Sequence, residues 1–167
     1  MNRQLKEMFE RSEGRYFTEI EEKQLLGYAS GLTERLDMMD AIAEAEESVL
    51  DDVCAQLDKR FPEIPEEHGE SGHAKVRRDL GLVLRYAALS MVFRDPDFIH
   101  DKLACWLRTV LFALSNRERV TIAFELLADA AHRHLAEDTA KEIAPHLEVI
   151  THEFRGCLKA RDSQEAA

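Results

Sequence analysis

Apolar residues recur along this chain at steps of three and four, a rhythm that predicts helix almost everywhere. The clearest stripe is Val76, Leu80, Val83, Leu84, Ala87 and Met91, at steps of 4, 3, 1, 3 and 4. It marks one face of a helix about five turns long. Ile143, Leu147, Ile150, Phe154 and Leu158 mark the last helix. Met39, Ile42, Val49, Val53 and Leu57 form a third stripe, and Val120, Phe124, Leu127 and Ala131 a fourth. A fifth runs through Leu103, Leu107, Val110, Leu111 and Leu114. No strand-type alternation, heptad or internal repeat is sustained.

Punctuation residues place the joints. A short helix, about Arg3 to Arg11, ends near Gly14. Thr18 and Glu21 make a capping box for the next helix. Gly27, Gly31 and Thr33 suggest corners between two or three helices before Phe61. The segment Pro62 to Gly72, with two prolines, two glycines and four glutamates, predicts a loop. Asp95-Pro96-Asp97 breaks the chain again, with Pro96 in the first turn of a new helix. Ser115-Asn116 reads as a turn and cap, Ala136 to Thr139 as a polar joint. The tail from Lys159 is polar and expected to fray. This organisation implies an all-α fold, either globin-like or an irregular bundle.

Composition narrows the partners. With 22 Lys+Arg against 33 Asp+Glu, the chain carries −11 at pH 7. That field repels phosphate backbones and anionic lipid, so no nucleic-acid partner is expected. No apolar run approaches the roughly 20 residues that span a bilayer, and the charged N-terminus is unlike a signal peptide. Neither membrane insertion nor export is expected, and a cytoplasmic location is. Cys54, Cys105 and Cys157 are an odd number without a Cys-x-x-Cys, and read as reduced thiols.

Catalytic and metal motifs are missing. Glu-x-x-His does not occur on two helices, as a binuclear carboxylate site requires, and there is no glycine-rich phosphate loop, Gly-x-Ser-x-Gly or His-Glu-x-x-His. His132 and His134, two apart, point to opposite sides of a helix and do not chelate one metal. His100 is the sole candidate for a proximal haem ligand, and its charged neighbours Asp101 and Lys102 place it on a solvated face. No enzyme activity and no metal site are expected.

One segment carries a resemblance. Val76-Arg77-Arg78-Asp79, then Leu84-Arg85-Tyr86-Ala87, Met91 and Asp95-Pro96, resembles the phycobiliproteins. It looks closest to allophycocyanin β-type subunits, which read Cys-x-Arg-Asp, Leu-Arg-Tyr-Ala, Met and Asp-Pro. Gly14-Arg15-Tyr16-Phe17, Lys59-Arg60-Phe61-Pro62 and Leu107-Arg108-Thr109 are similar to further family anchors. In order and spacing they cover about residues 1 to 157.

The resemblance implies a globin-like (phycocyanin-like) helical core over residues 1–158, with residues 1–32 an N-terminal helical hairpin for assembly and 159–167 a polar tail. It also implies an open-chain tetrapyrrole held as a thioether by the first motif residue. Here that residue is Val76, which has no nucleophile, so no covalent cofactor is expected at this position. Arg78 and Asp79 match the Arg-Asp pair and, with Val76 and Val83, form a candidate pocket for a non-covalent bilin. The resemblance gives Arg85 a partner's acidic side chain, for which Glu10 and Glu13 are the candidates here. Two functions follow as expectations: a non-enzymatic assembly or regulatory subunit, homodimeric or paired with a related subunit, or a reversible carrier or sensor of bilin or haem.

Overall fold

The computed structural model describes residues 2–104 and 117–165, and the stripes above become its helices. They are α1 (Arg3–Arg11), α2 (Glu19–Ala29), α3 (Leu32–Arg60), α4 (Glu63–Phe93), the single turn α5 (Asp97–Ile99) running into a π-helical turn (His100–Ala104), α6 (Arg117–His134) and α7 (Glu137–Glu165). No strand occurs among the described residues. Cys105, Trp106, the stripe from Leu107 to Leu114 and the Ser115-Asn116 turn lie outside the described residues. So do the side chains of Phe154, Cys157 and Leu158.

Local chemistry explains most helix ends. Asn2 Oδ1 accepts the Gln4 N–H at 2.8 Å and starts α1. The Thr18–Glu21 capping box starts α2, with both reciprocal hydrogen bonds present. Gly31, at φ 70°, makes the corner into α3, while Gly27 sits inside α2. Arg94, at φ 48°, closes α4 ahead of Asp95-Pro96.

The expected loop at Pro62 to Gly72 is instead the start of α4, whose backbone is helical from Glu63. Pro65 falls in the first turn, where its missing N–H has no partner to lose. Gly69 and Gly72 each disfavour helix by about 1 kcal/mol, a local preference that the long helix overrides. The last helix likewise runs on to Glu165, past the Lys159 where the polar pattern placed its end. It also contains Pro145, on the solvent side, while Ile143, Leu147 and Ile150 face the core. A proline there removes one backbone bond and lets the helix curve around what it covers.

The core lies where α3 packs on α4 and α6, and α7 closes over α4 and α6. Val53, Leu84, Ala87, Leu127 and Ile143 are wholly buried at its centre. Each buried aliphatic side chain contributes about 1.5–3 kcal/mol. By contrast, α2 buries none of its residues. The helices thus form a globin-like body carrying an N-terminal helical hairpin.

Candidate functional site

The residues predicted to hold a pigment all lie on α4. Val83 is buried, and Val76 is half-buried and packs on the core. Arg78 Nε and Nη2 donate to Asp79 Oδ1 at 3.1 and 3.0 Å, with the Asp79 side chain 36% exposed. The two charges therefore satisfy each other on the surface. Neighbouring Arg77 instead crosses to α3, donating to Asp51 at 2.6 Å and to Glu47.

A thioether at position 76 does not fit: Val76 offers only hydrocarbon. Cys54, on α3 near Arg77, is half-buried, and burial pushes its thiol pKa up while Arg77 opposes the shift. A raised thiol holds little of the nucleophilic thiolate at neutral pH. His100 is exposed, 3.9 Å from Asp101, so it faces solvent as its neighbours predicted. His134 and Arg133 both contact Asp52. No group of three potential metal ligands occurs among the described residues.

Arg85 is engaged within its own chain. Its Nε and Nη2 donate to the two carboxylate oxygens of Glu46 at 2.9 and 2.5 Å, a bidentate pair. Glu46 is 12% exposed at its side chain and Arg85 65%. Glu10 is 3.9 Å from Lys6, and both Glu10 and Glu13 are exposed. One chain therefore does not bring them to Arg85. The sequence carries a signal for Glu46: it sits in the stripe Met39, Ile42, Val49, Val53, at the step where an apolar residue is due. Arg35 continues the same stripe backwards. A charge in an apolar stripe marks a buried polar contact.

A second buried polar contact joins α4 to α7. Ser90 Oγ lies 2.7 Å from both the Asp95 carbonyl and His146 Nδ1. A carbonyl only accepts, so the single hydroxyl proton goes to Asp95 and Nδ1–H donates to Ser90. Burial holds the His146 pKa below its ordinary value, with nearby Glu142 opposing. The unfolded chain thus takes up a proton near pH 6.5 that the folded chain resists. This contribution to stability is complete above about pH 6.5 and is lost as pH falls through the lower folded value. Urea unfolding at pH 7.5 and 5.5 checks it: the parent loses stability on acidification, and His146→Gln shows a flatter dependence.

Among the described residues the most exposed large apolar side chains lie in the N-terminal segment. Tyr16 is 97% exposed, Ile20 71% and Leu26 69%, and Phe9 on α1 is partly exposed. Phe9 and Phe17 stack edge to face, 5.4 Å between ring centroids, and tie α1 to the turn before α2. Bulky apolar side chains on a helix that buries nothing describe a surface suited to contact with another protein.

Fold and surface together define an all-α, globin-like protein with an outward-facing helical hairpin. The chain belongs to the phycobilisome protein family, whose model, described as phycobilisome protein, matches residues 11–154. No curated protein matches it. Proteins of this family oligomerise with related subunits. Among the described residues no helix is long and apolar enough to cross a membrane.

Proposed function

We propose that this chain is a non-enzymatic phycobilisome-type subunit, nearest the allophycocyanin β type, that works through assembly and holds no bilin by a covalent bond at position 76. The observation that carries this reading is α2: none of its residues is buried, while Ile20 and Leu26 stand in solvent. The proposed contact is with a second copy or a related subunit through α1 and α2. Arg85 supports it, because its Nη1 is left over from the Glu46 pair and is the donor available to Glu10 or Glu13 of a second copy.

Sedimentation of the parent and of the Ile20→Glu/Leu26→Glu double variant tests the reading. Covering each side chain contributes about 1.5 kcal/mol or more. The double variant is therefore expected to weaken self-association by roughly 100-fold or more. Its melting temperature stays close to the parent's, since neither side chain supports the fold. A parent that is monomeric at all concentrations, or a double variant that associates as well as the parent, sinks the assembly reading.

The second reading, reversible binding of bilin or haem, is supported by Asp79. Its Oδ2 has no partner among the described residues and is open to a pyrrole N–H. Titrating the same preparation with biliverdin and with haem separates the two readings. A saturable, red-shifted absorbance band lost in Asp79→Ala supports the carrier, and a flat response supports the scaffold.

A further inference from the structure

We propose that the open cavity between α1, α2 and the C-terminal end of α4 is a binding site for a small, hydroxyl-rich phosphate ester. Its volume is about 470 Å³, inside the roughly 300–1,000 Å³ range of small-molecule sites. Leu5 is the one aliphatic side chain in its lining, so the site suits a hydrated, charged solute over an apolar pigment. It does not rest on the assembly reading and uses none of the residues of the candidate pigment pocket.

Two arginines line the cavity from different elements, Arg11 from the last turn of α1 and Arg94 from the end of α4. Arg11 Nε donates to the Glu7 carbonyl at 3.2 Å, leaving its terminal nitrogens available. Neither arginine has a carboxylate within ion-pair distance among the described residues. In a chain of net charge −11, two arginines without a direct ion pair on one cavity are a specific feature. Their planar forks match phosphate oxygens in a bidentate way.

Arg94 adds a second observation. It is the one non-glycine residue with positive φ among the described residues. A left-handed conformation is strained for a side-chain-bearing residue, and such strain often marks a position where the side chain has a task. Glycine would serve the turn better, yet the position carries a cation that lines the cavity, with its Nη2 near Gly31 at the corner after α2.

The rest of the lining specifies an ester over the bare ion. Gln4 and Gln24 bring amides that both donate and accept, and Tyr28 brings a hydroxyl. Glu7 also lines the cavity, with only an exposed contact to Arg3 at 3.8 Å. A carboxylate repels free phosphate but accepts readily from hydroxyl groups. Phosphate at the arginines and hydroxyls at Glu7 is the arrangement that satisfies both.

Calorimetric titration of the full chain with glucose 6-phosphate, glucose and inorganic phosphate tests the site. Saturable binding of glucose 6-phosphate is expected, no heat from glucose, and inorganic phosphate at least tenfold weaker. Arg94→Gly removes the cation while relieving the left-handed strain, so its melting temperature holds or rises as its affinity for glucose 6-phosphate falls tenfold or more. Arg11→Gln falls likewise. The proposal is overturned by the lack of saturable glucose 6-phosphate binding, by variants that bind as the parent does, or by inorganic phosphate binding as tightly as the ester.

Discussion

Replacing Arg35 with methionine lowers the unfolding free energy by about 3–5 kcal/mol, the scale set by breaking a buried charged contact. Arg35 is 2% exposed. Its Nε donates to the Val92 carbonyl at 3.1 Å, and its two terminal nitrogens to the Ser30 and Tyr28 carbonyls at 3.2 and 3.0 Å. These acceptors are the carbonyls that the ends of α2 and α4 leave without helical partners. One guanidinium thus caps two helices, at the end of each that carries partial negative charge. Burial pulls its pKa down, yet arginine stays protonated at any pH the fold survives.

Methionine keeps the stem's volume and strands three carbonyls. Lysine keeps the charge but, as a single point donor, reaches fewer of them. The Arg35→Lys loss is therefore expected to be smaller than that of Arg35→Met. Urea unfolding, with an unchanged m-value, measures both. A methionine variant within 1 kcal/mol of the parent would show that water replaces the guanidinium, and the capping account would be wrong. The effect has a functional edge, because the corner that Arg35 holds at Tyr28 and Ser30 fixes where α2 stands on the core.

Reversing Arg85 to glutamate is expected to cost about 2–3 kcal/mol of stability before any partner is considered. Removing one member of a buried pair costs about 3–5 kcal/mol, and the exposure of Arg85 reduces that. Glu46, close to the core beside Leu50 and Gly81, would then face a like charge. Denaturation at high dilution measures the loss on the unassociated chain. Replacing both Glu46 and Arg85 with leucine removes the unpaired charge and should recover most of it. If Arg85→Glu unfolds at the parent's urea midpoint, the Glu46 pair contributes nothing. The consequence for assembly is practical: charge reversal at Arg85 reports on fold and interface together. Glu10→Lys and Glu13→Lys, on exposed side chains, report on the interface alone.

Much of this protein was legible along the chain because its signals are local. The 76–91 stripe placed the centre of α4, with Leu80, Val83, Leu84 and Ala87 all buried. Thr18 and Glu21 gave the start of α2 because a capping box needs only residues three apart. Asp95-Pro96 gave the end of α4 for the same reason. Where local preference misled, at Pro62 to Gly72, the proline and glycine terms were each small against the continuation of a long helix.

The order of residues alone determined that the chain is helical, where its faces lie, and that position 76 carries no sulfur. Each of these follows from side-chain identity or from neighbours within one turn. Only the tertiary structure decided that Arg85 meets Glu46, 39 residues away, that Arg35 caps α2 and α4 at once, and that α2 keeps its apolar side chains in solvent. Such pairings depend on how separate helices cross. A one-dimensional pattern can show that a charge stands in an apolar stripe, but the partner comes from whichever helix packing brings within 3 Å.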